Sequence, residues 1–398
     1  MRFLIVSQYF YPEEFKVNDL AEALVRKGHQ VTVLTGKPNY PKGEYFDGYE
    51  FKGVIEEDYK GAHIIRVPLV KRGKGGAINL AVNYLSFVLF GNRYIKKHRI
   101  IADAIICFEI SPITQAYPGL ICKKLYGGKF LLWVQDLWPE SVTAAGGVKN
   151  PLVLKILDRL VGNIYKKSDK LLVQSKAFAD SIVKKGDYSS KILYIPNWAE
   201  DIFCEPVKHD FSTILPKGFI VMFAGNVGAS QDFESIIKAA NLVRDNKEIK
   251  WVIIGEGRMR DAAAKQVSAL RLNDTVLFLG RHPLYKMPSF FNKADAMLVT
   301  LRDEYIFSLT IPSKVQCYMA SGKPILTMLN GVGNAIIEEA QCGLISNAGD
   351  YRQLAQNVLK MFSLKKEELQ RMGDNALLYY KKHFDKNTVI DNIINSIC

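Results

Sequence analysis

No two of the six cysteines in this 398-residue chain form a C-x-x-C pair, and the six histidines keep no ligand spacing to them or to one another. A disulfide framework and a structural zinc site are therefore not indicated. Cys107, Cys122, Cys204, Cys317, Cys342 and Cys398 are expected to be reduced thiols packed as small hydrophobes. No apolar run reaches the roughly 20 residues that a membrane-spanning helix needs. The longest, Ala77 to Phe90, has 14 residues and contains Asn79, Asn83 and Ser86. The opening MRFLIVSQYF has one Arg, a brief apolar stretch and no small-residue cleavage site. It reads as a first strand, and the chain is expected in the cytoplasm. An aromatic-basic motif, a helix-turn-helix pattern and a zinc finger are all missing, which leaves nucleic acid without a docking element. What remains is globular material, 48% hydrophobic and 23% charged, long enough for two domains with their own cores.

The net charge of +13 is unevenly placed. Residues 1–199 hold 29 Lys/Arg against 18 Asp/Glu, giving +11, and residues 200–398 hold 24 against 22, giving +2. Within the first half, segment 71–99 contains Lys71, Arg72, Lys74, Arg93, Lys96, Lys97 and Arg99 and no acid. These cations bracket the apolar run, in which Ile78, Val82, Leu85 and Leu89 recur at helical spacing. An amphipathic helix with basic ends suits an anionic membrane surface, where each Lys or Arg is worth about 1 kcal/mol. The competing reading is a buried crossover helix with solvated charges.

Strand-like runs alternate with helical ones along the whole chain, from Phe3–Ser7 and Gln30–Thr35 to Ala296–Thr300 and Gly343–Ile345. The rhythm pauses after Pro196-Asn197-Trp198, which places a linker at about 196–217. The fold class expected is α/β, with two doubly wound parallel-sheet domains facing a cleft. The domains are 1–196 and 197–384, with a terminal helix, 385–398, crossing back to the first.

Three loops of the second domain have the chemistry to hold a phosphate. Gly225-Asn226-Val227-Gly228-Ala229-Ser230-Gln231 follows the apolar strand VMFA and precedes a helix, where glycines let backbone amides approach an anion. Gly255-Glu256-Gly257 follows WVII, but Arg260 stands where the dinucleotide fingerprint needs its last glycine, which disfavours a nicotinamide dehydrogenase. Ile311-Pro312-Ser313-Lys314-Val315-Gln316 reads as a capping box that starts a helix at Ser313. Its first-turn amides and the Lys314 ammonium make a pocket for a diphosphate. A solvated N-terminal lysine is the plainer alternative. In the first domain, Asp136 in LLWVQDLWPES is a carboxylate at a strand end, with Glu140 and Glu13 as weaker candidates.

These strings resemble glycosyltransferase family 4, retaining enzymes of GT-B fold that use nucleotide-sugar donors. The likeness covers the full length: RFLIVSQYFYPEEFKVNDLAEALVRKGHQVTVLTGKPNYPKG, WVQDLWPES, FAGNVGASQDFESIIKAA, VIIGEG, VLFLGR and IPSKVQCYMASGKPIL. It is strongest to the bacterial subgroup that builds O-antigen, capsule and colanic acid, especially N-acetyl-L-fucosamine transferases. The resemblance implies an acceptor-binding first domain and a UDP-sugar-binding second one, both Rossmann-like. Gly225, Asn226, Gly228, Gln231, Gly255, Glu256, Gly257, Arg281, Ser313 and Lys314 are expected on the donor, with Arg281 at the nucleobase edge. Glu13, Lys16, Asn18, Asn39, Tyr40 and Glu140 are expected on the acceptor side, with Lys314 and Asp136 nearest the chemistry. Asn226 and Gln231 stand where many members carry Arg and Lys, and Leu309 and Cys317 stand where two glutamates are usual. Lys314 is the replacement cation, and the group that holds the ribose is left open.

No D-x-D motif occurs, so the implied reaction uses no metal or other cofactor. Retention is generally attributed to front-face attack within an ion pair, with the departing phosphate taking the acceptor proton, and no base is assigned. The implied acceptor is an undecaprenyl-diphosphate-linked saccharide, with the enzyme held peripherally at the inner face of the cell membrane. A UDP-sugar 2-epimerase of GT-B shape is the alternative, distinguished by needing no basic amphipathic segment. A two-lobed binding protein of a different class would normally be exported and need a signal peptide, and is not the expected reading.

Overall fold

The computed structural model describes residues 1–144, 150–207 and 210–397. It divides into two compact units, Met1–Ile195 with Asn387–Cys398 and Pro196–Lys386.

The first unit is built in the order β1 Arg2–Val6, α1 Lys16–Arg26, β2 Gln30–Gly36, β3 Ile55–Tyr59, β4 Ala62–Val67, α2 Ala77–Lys97, β5 Ala104–Glu109 and α3 Ala116–Tyr126. It continues through β6 Lys129–Val134, α4 Glu140–Ala144, α5 Pro151–Lys167, β7 Lys170–Val173, α6 Lys176–Val183 and β8 Ile192–Tyr194. Its sheet runs β3-β4-β2-β1-β5-β6-β7-β8 and is parallel except for β3. Central strands such as FLIV, AIIC and FLLWV are buried end to end, as they must be when helices cover both faces. The strand β3 is one that apolar runs do not reveal. In IEEDY the inward residues are Ile55, Glu57 and Tyr59, and Glu57 pairs with the buried guanidinium of Arg66 on β4. The strand order switches between the parallel neighbours β1 and β5, and the loops after those two strands share one end of the sheet.

The second unit is built in the order β9 Phe219–Ala224, α7 Phe233–Leu242, β10 Ile249–Ile254, α8 Arg260–Ala269, β11 Val276–Gly280, α9 Met287–Lys293 and β12 Ala296–Thr300. There follow α10 Tyr305–Leu309, α11 Ser313–Ala320, β13 Ile325–Met328, α12 Val332–Glu339, β14 Gly343–Ser346, α13 Tyr351–Phe362 and α14 Lys366–His383. All six strands are parallel, in the order β11-β10-β9-β12-β13-β14, with apolar clusters on both faces. The switch point lies between β9 and β12. The last helix, α15 Lys386–Asn395, belongs almost wholly to the first unit, where Lys27 pairs with Asp391 at 2.7 Å and Lys129 donates to the Ile397 carbonyl.

The helix α2 runs seven residues beyond the apolar stretch and is amphipathic the wrong way round for a buried crossover. Ile78, Leu85 and Leu89 are 80%, 63% and 63% exposed, and Val82 is exposed beside them. Its polar residues face inward: Asn83 accepts from Gln8 Nε2 at 2.7 Å and donates to the Val70 carbonyl at 2.5 Å, and Ser86 Oγ accepts from Val70 N at 3.0 Å. Two of the basic residues of 71–99 are engaged with protein, Lys71 with Glu44 and Arg72 with Tyr9. No described helix is long and apolar enough to cross a membrane.

Candidate functional site

In the second unit, three loops follow three adjacent strands at the switch point. The Gly225 loop leaves β9, the Gly255 loop leaves β10, and Arg281 leaves β11. They are laced together by backbone: Gly225 N donates to Ile254 O at 2.9 Å, Val227 N to Glu256 O at 2.9 Å, and Gly255 N to Gly280 O at 2.8 Å. The glycines serve this close approach first. A Cβ on Gly255 would lie 1.8 Å from Gly225 O, and one on Gly257 would lie 2.4 Å from Val227 O. Asn226 sits on the same seam, its amide 2.6 Å from where a Gly228 Cβ would be. Glu256 ion-pairs with Arg260 at 3.2 Å, and the Arg281 side chain is exposed.

Lys314 is not a solvated terminal lysine. Its Nζ lies 2.6 Å from Gln231 Oε1 and 4.6 Å from the centroid of the Phe223 ring. Its stem crosses Gly225 so closely that a Cβ there would stand 2.7 Å from Lys314 Cε. Burial pushes the ammonium down to about 8, because a charge taken out of water is disfavoured until an anion joins it. Gln231 is fixed in turn, since Thr300 Oγ1 at the end of β12 donates to its carbonyl at 2.5 Å. One cation, one amide and a glycine turn thus meet at the end of β9.

The capping box does not form. Pro312 is the N-cap of α11, and no side chain caps it. Gln316 turns away and donates to Asn197 O at 3.0 Å, a tertiary partner that outcompetes the local one. Ser313 is exposed. The first-turn amides of α11 therefore have no Ser313 hydroxyl from within the helix.

Sequence reasoning missed two neighbours of this place. Arg302 follows β12, and its N donates to Ser230 O at 2.9 Å. Its side chain lines a cavity of about 360 Å³ with Gly228, Ala229, Phe233, Glu234 and Met259. Its position just past a buried strand at the switch point was the available signal. Glu200 was the other, with no signal of its own, and its carboxylate accepts from Cys317 Sγ at 3.2 Å.

In the first unit, the acceptor candidates divide. Glu13 is buried, and its carboxylate accepts backbone N–H from Phe10, Asn39 and Tyr40 at 3.2, 2.9 and 2.8 Å. Burial raises it to about 7 against the opposing pull of those amides. Asn18 accepts from Tyr11 N at 3.0 Å and donates to Glu13 O at 2.7 Å. Glu13 therefore locks the β1 and β2 loops to each other, and Asn18 ties the β1 loop to α1. Asn39 is buried and accepts from Arg72 N at 3.0 Å. Tyr40 stays partly open at 38% exposure, its ring edge-on to Tyr9 and tilted against Phe15. The Arg72 guanidinium lies 5.1 Å from the Tyr40 ring centroid and donates to Tyr9 OH at 3.0 Å. Lys16 opens α1 and is half-buried.

Asp136, just after β6, accepts from the Ser111 amide and hydroxyl at 3.0 and 2.9 Å. Trp138 Nε1 donates to the same hydroxyl at 2.9 Å. Beside it, the fully buried carboxyl of Glu109 ends β5, pushed up first by burial and then by the charge of Asp136. Glu140 is tied into the fold by Lys185 at 3.0 Å and Ser181 Oγ at 3.2 Å. Among the described residues, no group of three or more His, Cys, Asp or Glu could hold a metal ion. The five described cysteines are free, and Cys398 lies outside the described residues.

Two family models match: a glycosyl transferase 4-like domain over residues 14–198, and glycosyl transferases group 1 over residues 206–378. The probable glycosyltransferase WbjE of Pseudomonas aeruginosa is 32% identical over 214 residues, 51% of this chain and 52% of that one, so the match spans about half that relative's length. The putative colanic acid biosynthesis glycosyl transferase WcaI of Escherichia coli (strain K12) is 24% identical over 85% of this chain and 83% of its own. A third relative, from Campylobacter jejuni, is an N-acetylgalactosamine-N,N'-diacetylbacillosaminyl-diphospho-undecaprenol 4-alpha-N-acetylgalactosaminyltransferase, 28% identical over 39% of this chain and 41% of that one. Among solved structures, the E. coli trehalose-6-phosphate protein bound with UDP-2-fluoro glucose superposes with a TM-score of 0.74 at 13% identity, over 100% of this chain and 99% of that one. With both halves matched and two doubly wound domains in place, the chain belongs to the family 4-like glycosyltransferases of GT-B fold.

Proposed function

We propose that this glycosyltransferase moves a sugar from a UDP-linked donor, with retention, onto a saccharide carried on a prenyl diphosphate. The observation that carries the donor half is the Lys314 ammonium held over Gly225 by Gln231 and Phe223 at the switch point. Charge builds on the β-phosphate as the glycosidic bond breaks, and a cation fixed in advance where that charge develops lowers the barrier without reorganising. The nearby backbone and the end of α11 add their dipoles. No metal is needed in this scheme. The acceptor half is supported by the relative whose name carries a diphospho-undecaprenol substrate, and by the outward apolar face of α2. That face, with Arg93, Lys96 and Lys97 exposed at its far end, fits an anionic lipid surface. N-acetyl-L-fucosamine is the sugar the sequence strings favour. Asp136, Arg72 and Tyr40, exposed or half-buried at one end of the first sheet, are the groups offered to the acceptor.

Incubation of the protein with a panel of UDP-sugars and a short-chain prenyl-diphosphate N-acetylglucosamine, in EDTA, tests this reading. A product heavier by one sugar, read by mass spectrometry, is expected. Conversion of a free UDP-sugar without any such product would mark an epimerase instead, and dependence on a divalent ion would overturn the metal-free scheme.

A further inference from the structure

Two cations of the first unit are closed off from water with hydrogen-bond donors unused. Lys37, the residue after β2, is fully buried, and among the described residues its Nζ has no hydrogen-bond partner. Arg66 on β4 is buried as well. Its Nε donates to Glu57 and its Nη2 to the Tyr11 carbonyl, but its Nη1 has no partner among the described residues. The two side chains are neighbours by register. Thr35 pairs with Arg66 across β2 and β4, and Lys37 stands two residues beyond Thr35, on the same face of the pleat. Burial first, and then the charge of Arg66, holds the Lys37 ammonium below its ordinary value.

The acids nearby do not meet this demand. Glu57 is already claimed by Arg66 Nε and by the Tyr49 hydroxyl, which lies 3.2 Å from both of its oxygens. Glu50 is exposed and acts on Lys37 only through space. The Glu13 carboxylate, which also feels Arg66, is occupied by three backbone amides. Loss of the Lys37 proton would not satisfy the nitrogen, because a neutral amine still has two N–H groups to place. A charged donor left buried and unbonded is costly, and two side by side also repel each other. Together Nζ and Nη1 offer five N–H groups. A tetrahedral oxyanion has acceptors on several sides, so it can bond both nitrogens and cancel their repulsion. The cover over this pair includes the Tyr49 ring, its centroid 5.0 Å from Arg66 Cζ. Tyr49 belongs to residues 37–54, which form neither helix nor strand, and an oxyanion reaches the pair by displacing that ring.

We propose that Lys37 and Arg66 form a binding site for a phosphate group, which lies between the Lys37 ammonium and Arg66 Nη1. The site belongs to the first unit, whereas Lys314 belongs to the second. The phosphate group has two sources, the diphosphate of a prenyl-linked acceptor and free inorganic phosphate. Only the first of these rests on the transfer reaction proposed above.

Thermal unfolding of the full chain, with and without about 10 mM inorganic phosphate at ionic strength matched by chloride, tests the site. Phosphate should raise the Tm of wild type by about 2–4 °C more than that of Lys37→Met. The comparison removes any phosphate held by Lys314, which both proteins keep. Lys37→Met discards an unbonded charge and keeps the length of the side chain, so without phosphate it should be at least as stable as wild type. Lys37→Arg should keep the phosphate response. Initial rates with short-chain prenyl-diphosphate N-acetylglucosamine separate the sources. An acceptor KM raised about tenfold or more in Lys37→Met, with donor KM unchanged, assigns the site to the acceptor's diphosphate, and an unchanged acceptor KM assigns it to free phosphate. Equal phosphate gains in wild type and Lys37→Met overturn the proposal. So does a Lys37→Met chain less stable than wild type in phosphate-free buffer, since the ammonium would then already have its partner. Wild type that turns over no acceptor yet keeps the phosphate gain would sink the transfer reading alone.

Discussion

Lys314 Nζ and Gln231 Oε1 meet at 2.6 Å across 83 residues of sequence. The ammonium of α11 is therefore delivered to the loop after β9, where residue 231 itself is neutral. A charge supplied from one side of this contact should be replaceable from the other. Lys314→Ala is expected to lower donor kcat/KM by about 10²-fold or more, roughly 2.7 kcal/mol of transition-state stabilisation. The exchange Gln231→Lys in a Lys314→Gln background should recover at least about tenfold of the loss. Recovery measured by initial rates is diagnostic, because a variant damaged only in folding has no reason to be rescued by a second substitution.

The same lysine sets a pH limb. Its ammonium is the form that grips phosphate, and burial brings it down to about 8. Below that value the group is charged and binding is full; as pH rises through 8 the charge is lost and kcat/KM for the donor falls. A bound diphosphate favours the ammonium, so the kcat profile should turn down at higher pH than the kcat/KM profile. Lys314→Arg keeps its charge throughout and should show no limb near 8. A limb that persists unchanged in that variant would belong to another group.

The parallel strands and the two-unit division were legible because their apolar runs are continuous, and Lys314 was legible because a cation at a helix start is locally unfavourable. The capping box misled because its logic is local, whereas Gln316 is claimed by the Asn197 carbonyl of a distant segment. The strand β3 was hidden by its charged inward residue, Glu57, which the buried Arg66 on β4 and the Tyr49 hydroxyl accommodate. Glu200 was invisible for the same reason: its neighbour Cys317 is 117 residues away in the chain. Glycines 225, 255 and 257 stood out in the sequence as loop glycines, and the duty the structure gives them is close packing of loop on loop.

Glu13 is expected to act on stability rather than on acceptor turnover. Its folded-state value of about 7 lies above the ordinary 4.5, so the folded chain keeps a proton that the unfolded chain has lost between those pH values. The stabilisation it gives is full below 4.5 and is lost as pH rises through 7. Wild type should therefore lose stability relative to Glu13→Gln across that window in urea titrations. Glu13→Ala leaves the amides of Phe10, Asn39 and Tyr40 without their acceptor and should cost about 1–3 kcal/mol, more if the loops cannot rehydrate.

The outward face of α2 sets the membrane prediction. A helix that buries Asn83 and Ser86 while exposing Ile78, Leu85 and Leu89 gains nothing from water on that side. Burying one such side chain in an apolar medium is worth about 1.5–3 kcal/mol. A second exposed ridge, Leu152, Val153 and Ile156 at the start of α5, adds to it. Both helices cross over in the same direction along the sheet, and the right-handed rule for parallel connections puts them on one face. Replacing Ile78, Leu85 and Leu89 by Ser should reduce co-sedimentation with phosphatidylglycerol-containing vesicles by at least about 100-fold, and Leu152 and Ile156 by Ser should reduce it further. Neutralising Arg93, Lys96 and Lys97 should instead give a smaller loss, about 1 kcal/mol per charge, that disappears in high salt. Turnover on a short-chain acceptor in solution should survive both sets of changes. Unaltered sedimentation of the α2 variant would show that this face meets something other than lipid.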